Sequence, residues 1–458
     1  MEANDRNKMT RNEQKDEEMP DLDRLSCLPD SILSHILSFL DTISAIKTSM
    51  LSKRYRFLWT LSPKLDFKLL RFSPYRFRPC YPYDIFDQKG LNAPSFEAHV
   101  NHVLQRREHS SLTMFRLSLH VPAGSEFIRN CIDYAARHKV QHLRIRGYTK
   151  RGSVVLPRLL LVSTSLTILH LNNAVCSSIE LPKSLSLPNL KILRLKNFVF
   201  SDSNYNGEVF SGCLSLETLV LNKCWIRPAD KLKTLGVNCL NLKNLEIKYW
   251  RSPWRCFVEQ SICVNAPALD FFKFQGHIAK VKFRDDSPCV NKAWIDICCP
   301  TACASFDVNG RMESSSENLI EMIRQLRNVK SLSLSLRTVE VMSASPSLQP
   351  FMFENLRFIR FTAEEKYGEM TIPIGTVMQL TKSATSDTLV FDGSKEQKNI
   401  LKCSKVKPKE AALPVAISTH VLSFLLETSP CTEFLSIEIP KVRTIFGEFK
   451  IFKGKLIW

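Results

Sequence analysis

Leu190-Lys191-Ile192-Leu193-Arg194-Leu195 sets apolar residues at the first, fourth and sixth places of a six-residue run. The same figure stands at Val140-Leu143-Ile145, Leu166-Leu169-Leu171, Leu216-Leu219-Leu221, Leu242-Leu245-Ile247 and Leu269-Phe272-Phe274. Start-to-start spacing across these six is 26, 24, 26, 26 and 27 residues. After an irregular stretch the figure returns at Val329-Leu332-Leu334 and Leu356-Ile359-Phe361. One match is weak, but six in step are strong. A period of about 20–29 residues marks an array of small units, none able to bury its apolar face alone.

The period is that of leucine-rich repeats, and it predicts an α/β solenoid. Each repeat places a short strand on one side and a helix or looser segment on the other. The last two apolar residues of each triplet point inward and stack on the next repeat. Phe115, Leu117 and Leu119 alternate as a further strand would, Phe96 to Leu104 reads as a lead-in helix, and Phe127 to Arg137 as a helix between strands.

Alternation sends the residues between and beside the inward leucines to the other, concave face. These are His142, Arg144, Arg146, His170, Asn172, Arg194, Lys196, Asn222, Glu246, Lys248, Lys273 and Gln275, a mostly basic set. Such a ribbon suits an acidic or phosphorylated segment of a client through charge-assisted hydrogen bonds. The plain alternative is a set of solvated strand residues.

Upstream of the repeats lies a short apolar block, Leu28-Pro29-Asp30-Ser31-Ile32-Leu33-Ser34-His35-Ile36-Leu37-Ser38-Phe39-Leu40. Pro29 suits the start of a helix, and Asp30 complements its dipole. On a wheel of 100° per residue, Ile32, Leu33, Ile36, Leu37, Phe39 and Leu40 fall in an arc of roughly 160°. Ser31, Ser34, His35 and Ser38 take the other side. Asp41-Thr42 breaks the helix. A second carries Ile43, Ile46 and Met50, and Ser52 is a candidate N-cap for a third holding Tyr55, Leu58 and Trp59. Three helices in about 40 residues can scarcely bury a core alone. Their excess apolar surface needs cover, from the body of the chain or from a partner.

Leu28-Pro29, Ile36 to Leu40, Thr48-Ser49-Met50-Leu51-Ser52-Lys53-Arg54 and Leu58-Trp59 together resemble an F-box of the plant type, over about Leu22 to Phe67. Tyr55 stands where that family usually has Trp, and an aromatic still fills the place. The resemblance implies a three-helix F-box that docks on the small SKP-type adaptor of cullin–RING ubiquitin ligases. Leu28, Pro29, Ile32, Ile36, Leu37, Leu40, Leu51 and Trp59 would carry that contact. The F-box followed by a curved solenoid resembles the plant F-box/leucine-rich-repeat proteins that end in an FBD region. Val264-Asn265-Ala266-Pro267-Ala268-Leu269 and Lys292 to Ile297 resemble strings of that family. So do Val421 to Pro430 and Phe434 to Ile437, as a partial FBD-like helix and strand.

The expected organisation is a disordered tail over 1–21, the F-box over 22–68, a linker over 69–95 and the repeats over 96–363. An irregular insertion over 364–414, rich in Ser, Thr, Lys and Gly, and the partial FBD-like region over 415–458 complete it. By length alone the 458 residues would make about three domains, a prior that a repeat array overrides.

The formal net charge is +18, which favours acidic partners. A nucleic-acid-binding protein is therefore a competing reading, drawn from Lys53-Arg54, Arg56, Arg71, Arg76, Arg78, Arg106 and Arg107. No recognisable nucleic-acid module supports it. A third reading is an F-box scaffold that enters no ligase.

The 15 cysteines are scattered. Cys298, Cys299 and Cys303 cluster without a histidine at ligand spacing, while Cys213, Cys224 and Cys239 sit beside periodic leucines as small apolar residues. That usage points to cytoplasm or nucleus. Met1 to Asp23 has no apolar run of a secretory signal, and Val154 to Leu171 is broken by Pro157 and Arg158, so no membrane association is expected.

No phosphate-binding glycine loop, HExxH or GxSxG is present. Asp285-Asp286, His102 and His109 lie in charged or exposed segments. An enzyme is not expected, and neither a cofactor nor a metal. As an F-box protein the chain would act by proximity, holding a client near the adaptor, cullin and RING protein that complete the ligase.

Overall fold

The computed structural model describes residues 27–69, 93–107, 112–149, 152–174, 179–201, 208–227, 233–250, 260–277, 279–284, 289–297, 308–343, 351–363, 366–391 and 415–440. The expected tail, most of the linker, Arg71, Arg76, Arg78, His109, Asp285-Asp286, the cysteines at 298, 299 and 303, and the run beyond Pro440 lie outside them.

The periodic triplets become the spine of the molecule. All of their residues have 2% relative exposure or less. The strands that carry them join one thirteen-stranded sheet. In chain order these are β1 (Lys64–Leu69), β2 (Met114–Leu119), β3 (His142–Gly147), β4 (Ile168–Asn173), β5 (Ile192–Lys196), β6 (Thr218–Asn222), β7 (Asn244–Trp250), β8 (Phe271–Gly276), β9 (Lys292–Ile297), β10 (Ser331–Ser335), β11 (Phe358–Thr362), β12 (Lys366–Pro373) and β13 (Phe434–Pro440).

Neighbours follow chain order from β1 to β11 and are all parallel. At the end the order changes. β13 pairs parallel with β11, and β12 lies outside it as an antiparallel edge. The stretch expected to be irregular therefore contributes a strand, the helix Ile374–Ser383 and the strand Thr388–Phe391. Met370 and Ile372 of β12 are buried.

Two-residue strands and a three-stranded parallel sheet, Thr234–Asn238, Ser261–Asn265 and Lys280–Phe283, form a second layer behind the leucines. Burial pushes the thiols there upward, Cys213 to about 11 and both Cys224 and Cys239 to about 12, so they are inert apolar fillers.

Asn173, fully buried, ties the layers together. Its Nδ2 donates to Ile179 O at 3.1 Å and its Oδ1 accepts from Ile179 N–H at 2.8 Å. Asn173→Leu leaves both backbone groups unpaired in the core. It is expected to cost about 2 kcal/mol in urea denaturation, and an unchanged midpoint would contradict that role.

The N-terminal part is mixed in character. α1 (Asp30–Leu37) and α2 (Thr42–Lys47) are α-helices. The third element is a set of single 3₁₀ turns at Thr48–Met50, Arg54–Arg56 and Leu58–Leu61. Ser52 makes no cap there, whereas Asp41 caps α2 by accepting from Ser44 N–H at 3.0 Å.

α3 (Ala93–Gln105) and α4 (Ser125–Arg137) back the first strands. β1 follows the last turn directly, and its Asp66 N–H donates to Thr42 Oγ1 of α2 at 2.7 Å. The N-terminal helices are thus seated on the first strand of the long sheet.

Candidate docking surfaces

The arc of apolar residues on α1 is too wide for one interface, and the fold divides it. Leu33 and Leu37 turn inward with Leu58 and Trp59. Ser34 and Ser38, expected on the polar side, are buried as well. Ile32, Ile36, Phe39 and Leu40 remain exposed. Met50 and Leu61 on the 3₁₀ turns and Leu51 and Phe57 beside them are also exposed, at 87%, 52%, 73% and 64%. Apolar side chains this dense on one small unit mark a surface made to be covered.

Two of the anticipated contact residues therefore change role. Leu37 and Trp59, at 4% and 6% exposure, support the surface from below and do not form it. Leu28 is half-buried against the core, and Pro29 is exposed at the start of α1. Arg54 holds that start in place. Its Nε donates to Asp30 Oδ1 at 2.9 Å, and its Nη2 reaches Leu28 O. Phe39 is steadied by the edge of His35 at 5.1 Å and by the Lys64 ammonium at 5.4 Å. Sequence reasoning missed Met50, Phe57 and Leu61. Their signal was the surplus of large apolar residues over what elements of three to six residues can enclose.

The second surface is the face of the long sheet opposite the leucines. His142, Arg144, Arg146, His170, Asn172, Arg194, Lys196, Asn222, Lys248 and Lys273 all stand on it. The register sets Asp66, Arg116, Arg144, His170, Arg194, Val220, Glu246, Lys273 and Trp294 in one row across nine strands. The row beside it holds Arg146, Asn172, Lys196, Asn222 and Lys248.

The basic ribbon is not continuous. Lys248 is paired with Glu246, and Lys273 lies over the Trp294 ring at 3.3 Å from its centroid. Arg116 is paired with Asp66 at 3.1 Å. Free positive charge is concentrated on β3 to β5. Burial, then the guanidiniums of Arg144, Arg194 and Arg116, hold the His170 imidazole down at about 4, so it is neutral at pH 7. Burial and Arg144 lower His142 in the same way. Of the basic residues behind the nucleic-acid reading that are described, Arg107 is buried and Arg54 is engaged at α1. Among the described residues no group of three His, Cys, Asp or Glu could hold a metal, and no helix is long and apolar enough to cross a membrane.

Comparison with known proteins finds two family matches along the chain. Residues 25–67 match the family model of the F-box domain. Residues 128–286 match that described as FBD-associated F-box protein At5g56370, LRR repeats. The F-box/LRR-repeat protein At3g59210 of Arabidopsis thaliana is 29% identical over 383 residues, 81% of this chain and 73% of that protein. The FBD-associated F-box protein At1g66310 of the same plant is 27% identical over 455 residues, 95% of this chain and 93% of its own length. Against Arabidopsis At3g42770 the identity is 28% over 380 residues, and the alignment spans 64% of that relative, just under two thirds.

Proposed function

We propose that this chain, which carries an F-box followed by FBD-associated leucine-rich repeats, is the client-binding subunit of an SKP-type adaptor–cullin–RING ubiquitin ligase. The observation that carries the reading is the exposed apolar surface of α1 and the 3₁₀ turns, which falls inside the F-box match. Ile32, Ile36, Leu40 and Leu51, with Leu28 and Pro29 at the rim, take the adaptor. Leu37 and Trp59 hold those residues in position. The sheet face takes a protein client, and the repeats form the solenoid that presents it. The chain performs no bond chemistry of its own. It raises the effective concentration of client beside the transferring enzyme. The inert buried thiols suit a reducing compartment, cytoplasm or nucleus.

The test is co-purification with a plant SKP-type adaptor. Wild type is expected to form a stable complex. The surface variant Ile36→Asp/Leu51→Asp should bind at least about 30-fold more weakly, because it places charge at the centre of an apolar contact. Both sites are solvent-exposed in the free chain, so the variant is expected to fold. A folded wild type that fails to bind the adaptor leaves the non-ligase scaffold as the better reading.

A further inference from the structure

Positive charge on the sheet face has a centre. Arg144, His170 and Arg194 are consecutive register partners on β3, β4 and β5, and Arg146, Asn172 and Lys196 form the adjoining row. Strands lie about 4.8 Å apart, and same-face residues about 6.6 Å apart along a strand, so these side chains rise from a patch of roughly 10 by 7 Å. The patch is bounded by neutralised pairs, Arg116 with Asp66 on one side and Lys248 with Glu246 on the other.

Arg144, Arg146, Arg194 and Lys196 make no side-chain hydrogen bond or ion pair among the described residues. The Nε atoms of Arg144 and Arg146 and the Oδ1 of Asn172 are shielded from solvent and unpartnered. Four like charges so close repel one another and destabilise the free fold. A ligand of opposite charge removes that cost.

The density of charge selects the ligand. A carboxylate brings one charge. A phosphomonoester brings about −1.5 to −2 at pH 7 and three strong acceptor oxygens, which the guanidinium forks of β3 and β5, on either side of His170 on β4, can grip bidentately. His170 at the middle of the row is kept neutral, so it offers an N–H donor without adding another repelling charge. The patch lies on an open sheet face, not in an enclosed cavity, which suits a group carried on an extended chain better than a free ion.

We propose that Arg144, Arg146, Arg194 and Lys196, set around His170, form the seat for the phosphoryl group of a phosphoserine or phosphothreonine in an extended client segment. The proposal rests on the reading that the sheet face holds the client, and it is independent of adaptor docking.

The full chain is immobilised and offered degenerate peptide pools identical except for a central phosphoserine, serine or glutamate. At physiological salt the phosphoserine pool is expected to be retained at least about tenfold better than either other pool. Arg144→Gln/Arg194→Gln should remove that preference without lowering the thermal midpoint, since the pair contributes repulsion and no bonds. Lys280→Gln/Lys282→Gln, on the outer strand, should leave it intact. Equal retention of the phosphoserine and glutamate pools, or a preference that survives the arginine variant, overturns the proposal. So does retention of polyuridylate through the same arginines with no phosphopeptide preference, which would make the face a nucleic-acid surface. Adaptor binding measured on the same samples separates the two readings. A chain that binds adaptor and lacks the phosphopeptide preference fails only here.

Discussion

Arg107→Met is expected to lower the unfolding free energy by about 3 kcal/mol, read as a shift in the urea midpoint. Arg107 is 1% exposed and sits between the N-terminal unit and the repeats. Its Nε donates to Thr60 O at 2.9 Å, its Nη2 donates to Ser62 O, and its own carbonyl accepts from the Tyr134 hydroxyl at 3.0 Å. Its side chain thus ties the last 3₁₀ turn to the segment after α3, and its backbone carbonyl ties that segment to α4. Methionine fills a similar volume and removes both donated bonds, one to the part-buried Thr60 O and one to the buried Ser62 O. Burial disfavours the guanidinium charge and lowers its pKa, yet the charge-assisted bonds to two carbonyls offset that penalty. Arg107→Lys keeps the charge but loses the planar fork, and should fall between wild type and methionine.

The consequence of this linkage is functional as well as energetic. Under the proposed ligase function, a flexible joint after the N-terminal unit would let a client sample many distances from the transferring enzyme. Here the exposed apolar surface is held to β1 and to the segment after α3, through Thr42 on Asp66 and Arg107 on Thr60 and Ser62, and β1 belongs to the same sheet as the basic patch on β3 to β5. Arg107→Met leaves every exposed residue of the docking surface in place. Adaptor affinity should therefore hold at temperatures where the variant is folded, while hydrogen exchange through 54–62 quickens. Equal stability and exchange in the variant would show that the joint is held by other contacts.

What the sequence disclosed follows from the range of the interactions involved. The strands from β3 to β8 were readable because each repeats its buried triplet at nearly constant spacing and packs on its chain neighbour. β1 was not. Its Leu65, Phe67 and Leu69 alternate correctly, but the register partner of Lys64 is Met114, fifty positions on and far outside the period. β12 was hidden for another reason. As an edge strand it has one neighbour and needs few buried side chains, so a segment with Thr, Gly and Glu reads as irregular.

The polar faces show the same division. The basic residues of the sheet face were visible from alternation. Their pairing was not, because Asp66 meets Arg116 across strands. On α1 the period gave the apolar arc but could not say which half of it the body would cover.

Gly276→Ala is expected to cost about 3–5 kcal/mol, through strained backbone and overpacking together. Gly276 closes β8 with φ +143, a region that residues with a Cβ rarely enter. A Cβ built there would stand 2.5 Å from both the N and the O of Trp250, and 3.0 Å from its Cα. These are backbone atoms of a residue only 2% exposed, so no side chain can swing aside to make room. The close approach has a cause in the register. Between Ile247 and Trp250 the pairing of β7 with β8 slips, and Tyr249 adopts φ 51 to carry the extra residue. The bulge brings the Trp250 backbone to Gly276, and its carbonyl accepts from His277 N–H at 2.9 Å. A methyl group must push the strands apart at that point or force the bulge out of register. The first outcome weakens the sheet between β7 and β8. The second would also shift Lys248 and Tyr249 against the pairing of Lys248 with Glu246 that bounds the basic patch. Denaturation measures the stability loss. Phosphopeptide retention by the folded fraction distinguishes the two outcomes, since only a register slip reaches the patch.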